Sequence, residues 1–295
     1  MVEVELPYKS RNEPIPGEIE YNQAKFKFFT WKVPEGITQK GKIVYVHGFF
    51  EQSDLYHRLF DDLSEQGYEV FFFSQRGAEE TSPNKLGLTN EFHVMDDLDF
   101  FINYNLDTPQ DKIFLLGHSM GGGIILNYVI KGKYRKNIRG VLTSGPLVKL
   151  HPKTQPNIIV RSLSNYIVLL APNLRIDSKL KFEYLTTNPD WTEYIRKKTT
   201  KLLGSARQFY DMFERGEKLL DPSYNKDFQT PVLVLHGTDD NINDPKYSEK
   251  FINSIEFKDK EFVPVKGAKH SLFLESEPIY RDIVLKKTVG FLNSH

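Results

Sequence analysis

Ile113-Phe114-Leu115-Leu116-Gly117-His118-Ser119-Met120-Gly121-Gly122-Gly123 is the stretch on which the fold turns. A short continuous apolar run, a serine set between glycines in the pattern GxSxG, and a run of small residues leading into Ile124-Ile125-Leu126 read as a strand, a tight turn and a helix. On such a turn the serine hydroxyl stands clear of the backbone, with the helix N-terminus beneath it. Gly117 and Gly121, two places either side, let strand and helix pass closely enough to hold the turn. The same pattern also suits a plain glycine-rich turn that happens to carry a serine, so its reading depends on the rest of the chain.

Outward from that stretch, further strand-like runs fall at 26–31, 43–46, 70–73, 141–143, 232–235 and 261–265, most of them rich in β-branched or aromatic residues. Helix-like segments at 54–65, 91–103, 120–130, 245–253 and 278–292 lie between several of them. This alternation predicts an α/β class protein with a mainly parallel sheet covered by helices on both faces. It breaks after Ser144, and strands resume near Pro231. We therefore expect a core built from 1–149 and 205–295 with an inserted helical cap at 150–204. Within the cap, Ile158, Ile159, Leu163, Tyr166, Ile167 and Leu170 recur at helical spacing, with Arg161, Ser162, Ser164 and Asn165 between them. That stripe fits either a helix burying its face on the sheet or a lid that presents the face to lipid. The segment 10–17, with two prolines, reads as an extended arm over the surface.

Composition narrows the function classes. The chain has 295 residues, 39% hydrophobic and 26% charged, an ordinary globular balance. Lysine plus arginine equals aspartate plus glutamate at 39 each, so no overall field favours nucleic acid or an anionic membrane. Cysteine is absent, which removes disulfides, thiol catalysis and thiolate metal sites and leaves the redox compartment open. Met1-Val2-Glu3-Val4-Glu5 is acidic where a secretory signal is basic and then apolar, and no window approaches 18 uninterrupted apolar residues. The reading is a chain neither exported nor membrane-spanning.

A serine nucleophile needs a base to take its proton and an acid to orient that base. Of the eight histidines, His270 lies in Lys266-Gly267-Ala268-Lys269-His270-Ser271, after the last apolar strand and before the final helix. Loops that follow strands of a parallel sheet gather at one edge, the edge of Ser119. His47, His118 and His236 also fall near that edge and read as local structural residues, because a base must approach from across the site. For the acid, the strand at 232–235 runs into His236-Gly237-Thr238-Asp239-Asp240-Asn241, and Asp240, at the end of HGxxD, is preferred over Asp239. Asp244, before Pro245, reads as a helix N-cap. Asp61, Asp62, Asp96 and Asp97 fall on helix-like segments and are expected on solvated faces without metal-ligating partners. The order Ser119, Asp240, His270 is far more specific than GxSxG alone. The backbone N–H of Met120 is one candidate oxyanion donor and that of Phe49, in His47-Gly48-Phe49-Phe50-Glu51, the other. The Phe49 loop also fits a glycine turn with two buried aromatics.

These residues resemble the monoacylglycerol lipase branch of the α/β-hydrolases, in its fungal monoglyceride lipase form. The resemblance covers nearly the whole chain and rests on His47-Gly48-Phe49, Gln75-Arg76-Gly77-Ala78, Gly117 to Gly123, Ser144-Gly145-Pro146-Leu147 with Leu150-His151-Pro152, and Asn243-Asp244-Pro245-Lys246. It implies the α/β-hydrolase fold with a cap. It also implies Ser119, Asp240 and His270 as nucleophile, acid and base, with Phe49 and Met120 as oxyanion donors. The implied reaction is hydrolysis of a long-chain monoacylglycerol to fatty acid and glycerol, without cofactor or metal, by a cytoplasmic enzyme peripherally attached to lipid droplets or intracellular membranes. Glu51 matches a residue near the glycerol end of the substrate in relatives, and loop hydrogen bonding is its other reading. Two positions depart from the family: Phe50 stands where many relatives have glycine, narrowing the entrance, and Ser74 where they have aspartate, loosening a contact to Arg76. Lysophospholipase or broad carboxylesterase action with the same residues is the enzymatic alternative, and a silent hydrolase-fold binding protein the non-enzymatic one. With a histidine base, activity is expected to rise with pH through about 6.5, shifted somewhat by Asp240.

Overall fold

The computed structural model describes residues 5–199 and 202–295, with the side chains of 158–162 outside the description. Met1 to Val4 of the acidic N-terminal pattern therefore lie outside it, as do the side chains of Ile158, Ile159, Arg161 and Ser162.

Eight strands form one sheet: β1 (Ile15–Tyr21), β2 (Ala24–Trp31), β3 (Gly41–Val46), β4 (Tyr68–Phe73), β5 (Ile113–His118), β6 (Ile138–Ser144), β9 (Val232–Gly237) and β10 (Lys260–Val265). A two-stranded ribbon, β7 (Arg175–Asp177) with β8 (Leu203–Ser205), stands apart. The sheet order is β1-β2-β4-β3-β5-β6-β9-β10, parallel from β4 to β10 and antiparallel at β1 and β2. The central strands read as unbroken apolar runs because both faces are covered. Val44 and Val46 point into one core with Phe101, Ile124 and Phe251, while Ile43 and Tyr45 point into the other with Leu59, Phe60 and Leu292. The helices supplying those faces are α1 (His57–Glu65), α2 (Glu91–Tyr104), α3 (Met120–Lys131), α6 (Ala206–Leu219), α7 (Pro222–Asn225), α8 (Pro245–Ser254), and a C-terminal run of α9 (Glu277–Ile279), a π-helical stretch Tyr280–Leu285 and α10 (Lys286–Ser294).

The chain order reverses between β4 and β5 on either side of β3, so the loops after β3 and β5 diverge and leave a crevice at the carboxyl edge. There α3 comes against β3 with no room for a side chain. A Cβ at Gly121 would lie 1.9 Å from the Val46 carbonyl oxygen, and one at Gly117 would lie 2.9 Å from the Gly121 carbonyl carbon.

Between β6 and β9 lie α4 (Ile158–Leu170), the β7–β8 ribbon with α5 (Pro189–Lys198) between its strands, and then α6 and α7. The ribbon straddles residue 204. Leu185, Trp191, Tyr194 and Ile195 form a small separate core with Ile242 and Leu274, which seats α5 on the loops that follow β9 and β10. Tyr194 and Lys198 also hydrogen-bond Asp54. Helix α4 packs on α6 rather than on the sheet. It leaves Leu163, Tyr166, Leu169 and Leu170 exposed by 47, 64, 78 and 82%, so among the described side chains the stripe is not a buried sheet-facing one.

Two further expectations are corrected. Only the first part of 10–17 behaves as a surface arm: Arg11 and Asn12 donate backbone N–H bonds to Asp61, and from Ile15 the chain pairs with β2 as a strand. Three members of the acidic pairs on α1 and α2 are not solvated. Asp61 and Asp62 are buried under that arm, Asp62 accepting from Arg11 at 2.6 Å and from Tyr280 Oη at 2.7 Å. Asp97 is buried and held by Arg76 through two bonds of 2.8 and 2.7 Å. Arg76 is thus fixed although Ser74 is not an aspartate. Of the four, Asp96 alone keeps an exposed contact, to Asn22.

Because the clash at Gly121 is with backbone, Gly121→Ala is expected to cost at least about 3 kcal/mol, as overpacking against a part that cannot yield. A urea unfolding midpoint equal to the parent's would contradict this close approach.

Candidate active site

Ser119 links β5 to α3 at φ +53° and ψ −117°, a sparsely populated conformation for an L-residue that costs about 1–3 kcal/mol. Backbone bonds hold it there. Its N–H donates to Ser144 O at 3.0 Å, and its carbonyl accepts from Gly123 N at 3.1 Å and from Leu147 N at 2.9 Å. The strain raises the side chain out of the strand, while the start of α3 directs backbone N–H groups, Met120 first, toward the space beside it.

Asp240 is fully enclosed and every acceptor position is used. Oδ1 accepts from the backbone N–H of Ile242 at 2.7 Å and Asn243 at 3.0 Å. Oδ2 lies 2.7 Å from His270 Nδ1 and 3.0 Å from His236 Nε2. A carboxylate can only accept, so both nitrogens carry hydrogens and His270 keeps Nε2 as its free basic position. Burial pushes the Asp240 carboxyl up, but His270 and His236 outweigh it and hold the group well below the usual carboxylate range. For His270 burial dominates and lowers the imidazole, with Asp240 offsetting only part. Asp239, the competing acid, is exposed and bonded to its neighbour Thr238. Asp244 caps α8 with Pro245 at its first position.

The loop that carries His270 is tied to the inserted segment by backbone: His270 N donates to Tyr184 O at 3.4 Å and Ser271 N to Leu185 O at 2.6 Å. Beneath the pair, Gly145 sits at φ +51°, where a Cβ would lie 3.0 Å from His270 O and 3.4 Å from Asp240 Oδ2. Asn243 Nδ2 clamps that glycine's carbonyl at 2.8 Å.

On the other side, His47 fixes the loop after β3. Its Nε2 accepts from Gln75 N at 2.9 Å, so Nδ1 carries the hydrogen and donates to Gly48 O at 2.7 Å, while Gln75 Nε2 donates to His47 O at 2.7 Å. Phe49 follows, its ring 4.7 Å from Phe50 and 5.2 Å from Phe209 of α6. Its ring is half-buried and packs on the core. Phe50 has φ +62°, a left-handed conformation that suits glycine and in which a phenylalanine carries backbone strain. The Glu51 carboxylate turns inward to Gly48 N, Tyr56 Oη and His118.

The structure thus gathers Ser119, His270, Asp240, Phe49, Met120 and Glu51 at the carboxyl edge of the sheet. Such an arrangement can deprotonate a hydroxyl and stabilise the resulting imidazolium. His236, Asn243, Gln75 and Tyr56 were not singled out by sequence as functional. His236, Gln75 and Asn243 sat inside quoted motifs, whereas Tyr56 acts through contacts that no local pattern signals.

A family model described as serine aminopeptidase, S33 matches residues 38–277. The Saccharomyces cerevisiae protein named monoglyceride lipase is 39% identical over 94% of this chain and 94% of its own length. The Schizosaccharomyces pombe protein named putative monoglyceride lipase is 33% identical over 86% of this chain and 68% of its own. A crystal structure of a soluble variant of monoglyceride lipase from Saccharomyces cerevisiae in complex with a substrate analog superposes with a TM-score of 0.93 at 37% identity, covering 99% of each chain.

The depressed Asp240 carboxyl has a consequence for stability. The ionised group stabilises the native state fully above its unfolded value near 4, and this contribution is lost as pH falls further. Between pH 5 and pH 3 the parent is expected to lose more unfolding free energy than Asp240→Asn. Equal losses, read from urea titrations at each pH, would contradict the hydrogen-bond count.

Proposed function

Since the chain belongs to the serine aminopeptidase S33 family of α/β-hydrolases, with monoglyceride lipases among its full-length relatives, we propose that it hydrolyses long-chain monoacylglycerol to fatty acid and glycerol through an acyl-enzyme on Ser119. His270 Nε2 takes the hydroxyl proton as Ser119 attacks the ester carbonyl, and Asp240 stabilises the imidazolium. The N–H groups of Phe49 and Met120 receive the oxyanion. Glycerol leaves with the proton from His270, and a water activated by the same nitrogen releases the fatty acid. The observation that carries this reading is the 2.7 Å Asp240–His270 pair at the edge that presents the strained Ser119. Because His270 is held below its ordinary value, the rise of activity with pH falls below 6.5 rather than at it.

The acyl chain takes the aromatic side of the crevice, beside Phe49 and Phe209 and under the 150–204 cap. Each methylene it buries contributes about 0.8 kcal/mol, which favours long chains over acetate. The outward face of α4 is where the molecule meets a lipid droplet or membrane. Leu163, Tyr166, Leu169 and Leu170 form an apolar patch beyond what a surface helix needs, and among the described residues no helix is long and apolar enough to cross a membrane.

In parallel assays of long-chain monoacylglycerol, diacylglycerol and lysophosphatidylcholine, the monoacylglycerol is expected to show the highest kcat/KM, and Ser119→Ala to lose at least about 10⁴-fold. Preference for lysophosphatidylcholine would keep the chemistry and replace the substrate.

Replacing Leu163, Tyr166, Leu169 and Leu170 together by serine is expected to weaken sedimentation with phosphatidylcholine vesicles by more than about tenfold. It should leave turnover of a dispersed short ester unchanged. Undiminished vesicle binding would assign membrane contact elsewhere.

A further inference from the structure

The site contains a second acid–imidazole pair that the mechanism above does not use. His118, next to Ser119 in the chain, is 1% exposed. Its Nδ1 lies 2.6 Å from Glu51 Oε1, and its Nε2 lies 3.2 Å from the backbone carbonyl oxygen of His270. The rings of His118 and His270 are 4.7 Å apart between centroids.

A carbonyl oxygen can only accept, so Nε2 carries a hydrogen. The other partner is a carboxylate with its own donors, since Glu51 Oε2 receives the Gly48 N–H and the Tyr56 hydroxyl. These bonds favour its ionised form. The Tyr56 hydroxyl also lies 3.3 Å from Nδ1, but its hydrogen goes to Glu51, so an acceptor faces each ring nitrogen and the arrangement is satisfied when both nitrogens bear hydrogens. A neutral tautomer would leave either the Glu51 contact or the His270 carbonyl facing a lone pair inside a dry site.

Resting on the hydrolase reading above, we propose that His118 is an imidazolium over the working pH range, paired with Glu51, and acts as a positioning residue for His270. It would do so in two ways. The hydrogen bond to the His270 carbonyl fixes the base relative to the turn that carries Ser119. The like charge 4.7 Å from the base ring opposes protonation of His270 and keeps it neutral, hence competent, on the acid side of neutrality.

The charged and titratable groups that face the pair are few. Tyr45 comes from β3, Glu51, Tyr56 and His47 from the loop after β3 and the turn that follows it, Asp240 from the loop after β9, and His270 from the loop after β10. Burial lowers the His118 imidazole, but Glu51, the His270 carbonyl and Asp240 more than reverse this and raise it. For Glu51 burial raises the carboxyl, and His118, Tyr56 and His47 bring it below its ordinary value. Both directions agree with an ion pair. This gives Glu51 a task inside the protein, distinct from contact with a glycerol headgroup.

The test has two arms. Nitrogen-15 NMR of the histidine side chains of the full chain, assigned by through-bond connectivity, should show both ring nitrogens of His118 protonated from pH 6 to pH 8. A neutral tautomer at pH 7 would overturn the proposal. The second arm follows the pH dependence of Ser119 labelling by a fluorophosphonate, which needs no lipid substrate. Removing the positive neighbour raises His270, so in His118→Gln the acid limb should move upward by roughly one pH unit. Glu51→Gln should shift it in the same direction by less, because the loss of Glu51 releases the His118 charge with it. An unmoved limb in a folded His118→Gln would reduce the residue to a structural role and overturn the proposal. If that variant does not fold, the spectrum of the parent decides. A protein that labels normally but prefers another lipid refutes the substrate proposed above and leaves this inference standing. A parent that never labels refutes the hydrolase reading instead.

Discussion

The Asp240 carboxylate binds together the carboxyl edge of the sheet. Four N–H donors converge on its two oxygens: two from the backbone of its own loop, one from His236 at the end of β9, and one from His270 beyond β10. A lone buried carboxylate would be far too costly to keep ionised. With every acceptor position filled it becomes a fixed negative charge around which two loops and a strand end take their positions. His236 is itself held, since its Nδ1 lies 2.9 Å from Ser248 Oγ on α8, so the helix behind β9 contributes to the orientation of the acid. The His270 imidazole inherits its orientation from this arrangement.

Backbone strain collects at the same edge. Ser119, Phe50 and Gly145 all adopt positive φ, at the ends of β5, β3 and β6. Each lies just past the end of a strand, and Ser119 and Gly145 are held there by bonds from neighbouring elements. Strain of this kind persists only where the surroundings over-determine it. Here the surroundings are two apolar cores on opposite faces of the sheet and the contact of α3 against β3 at Gly121.

Much of this was legible in the chain. The seven strands read from apolar runs all lie in the sheet, and the alternation with helices gave its parallel character. The order of serine, acid and histidine named residues that the structure sets at one edge. What escaped depended on distant partners. β1 carries a proline and alternating glutamates, so nothing local distinguished an edge strand from an arm until its pairing with β2 was seen. Asp61, Asp62 and Asp97 looked like solvated helix residues because the groups that bury them, Arg11, Tyr280 and Arg76, lie far away in sequence or in another element. His118 was read as local for the same reason: its two partners, Glu51 and the His270 carbonyl, are 67 and 152 positions away.

The inserted segment is anchored unevenly. Tyr184 and Leu185 pair by backbone with the loop that holds His270, and α5 is packed and hydrogen-bonded to the core, whereas α4 rests on α6 and turns an apolar face outward. The two halves are therefore free to evolve at different rates. Substitutions near 184–198 are read directly by the position of an imidazole. Those on the outer face of 163–170 touch neither the carboxylate nor the imidazole, so that face can drift from lineage to lineage while the pair beneath is inherited unchanged.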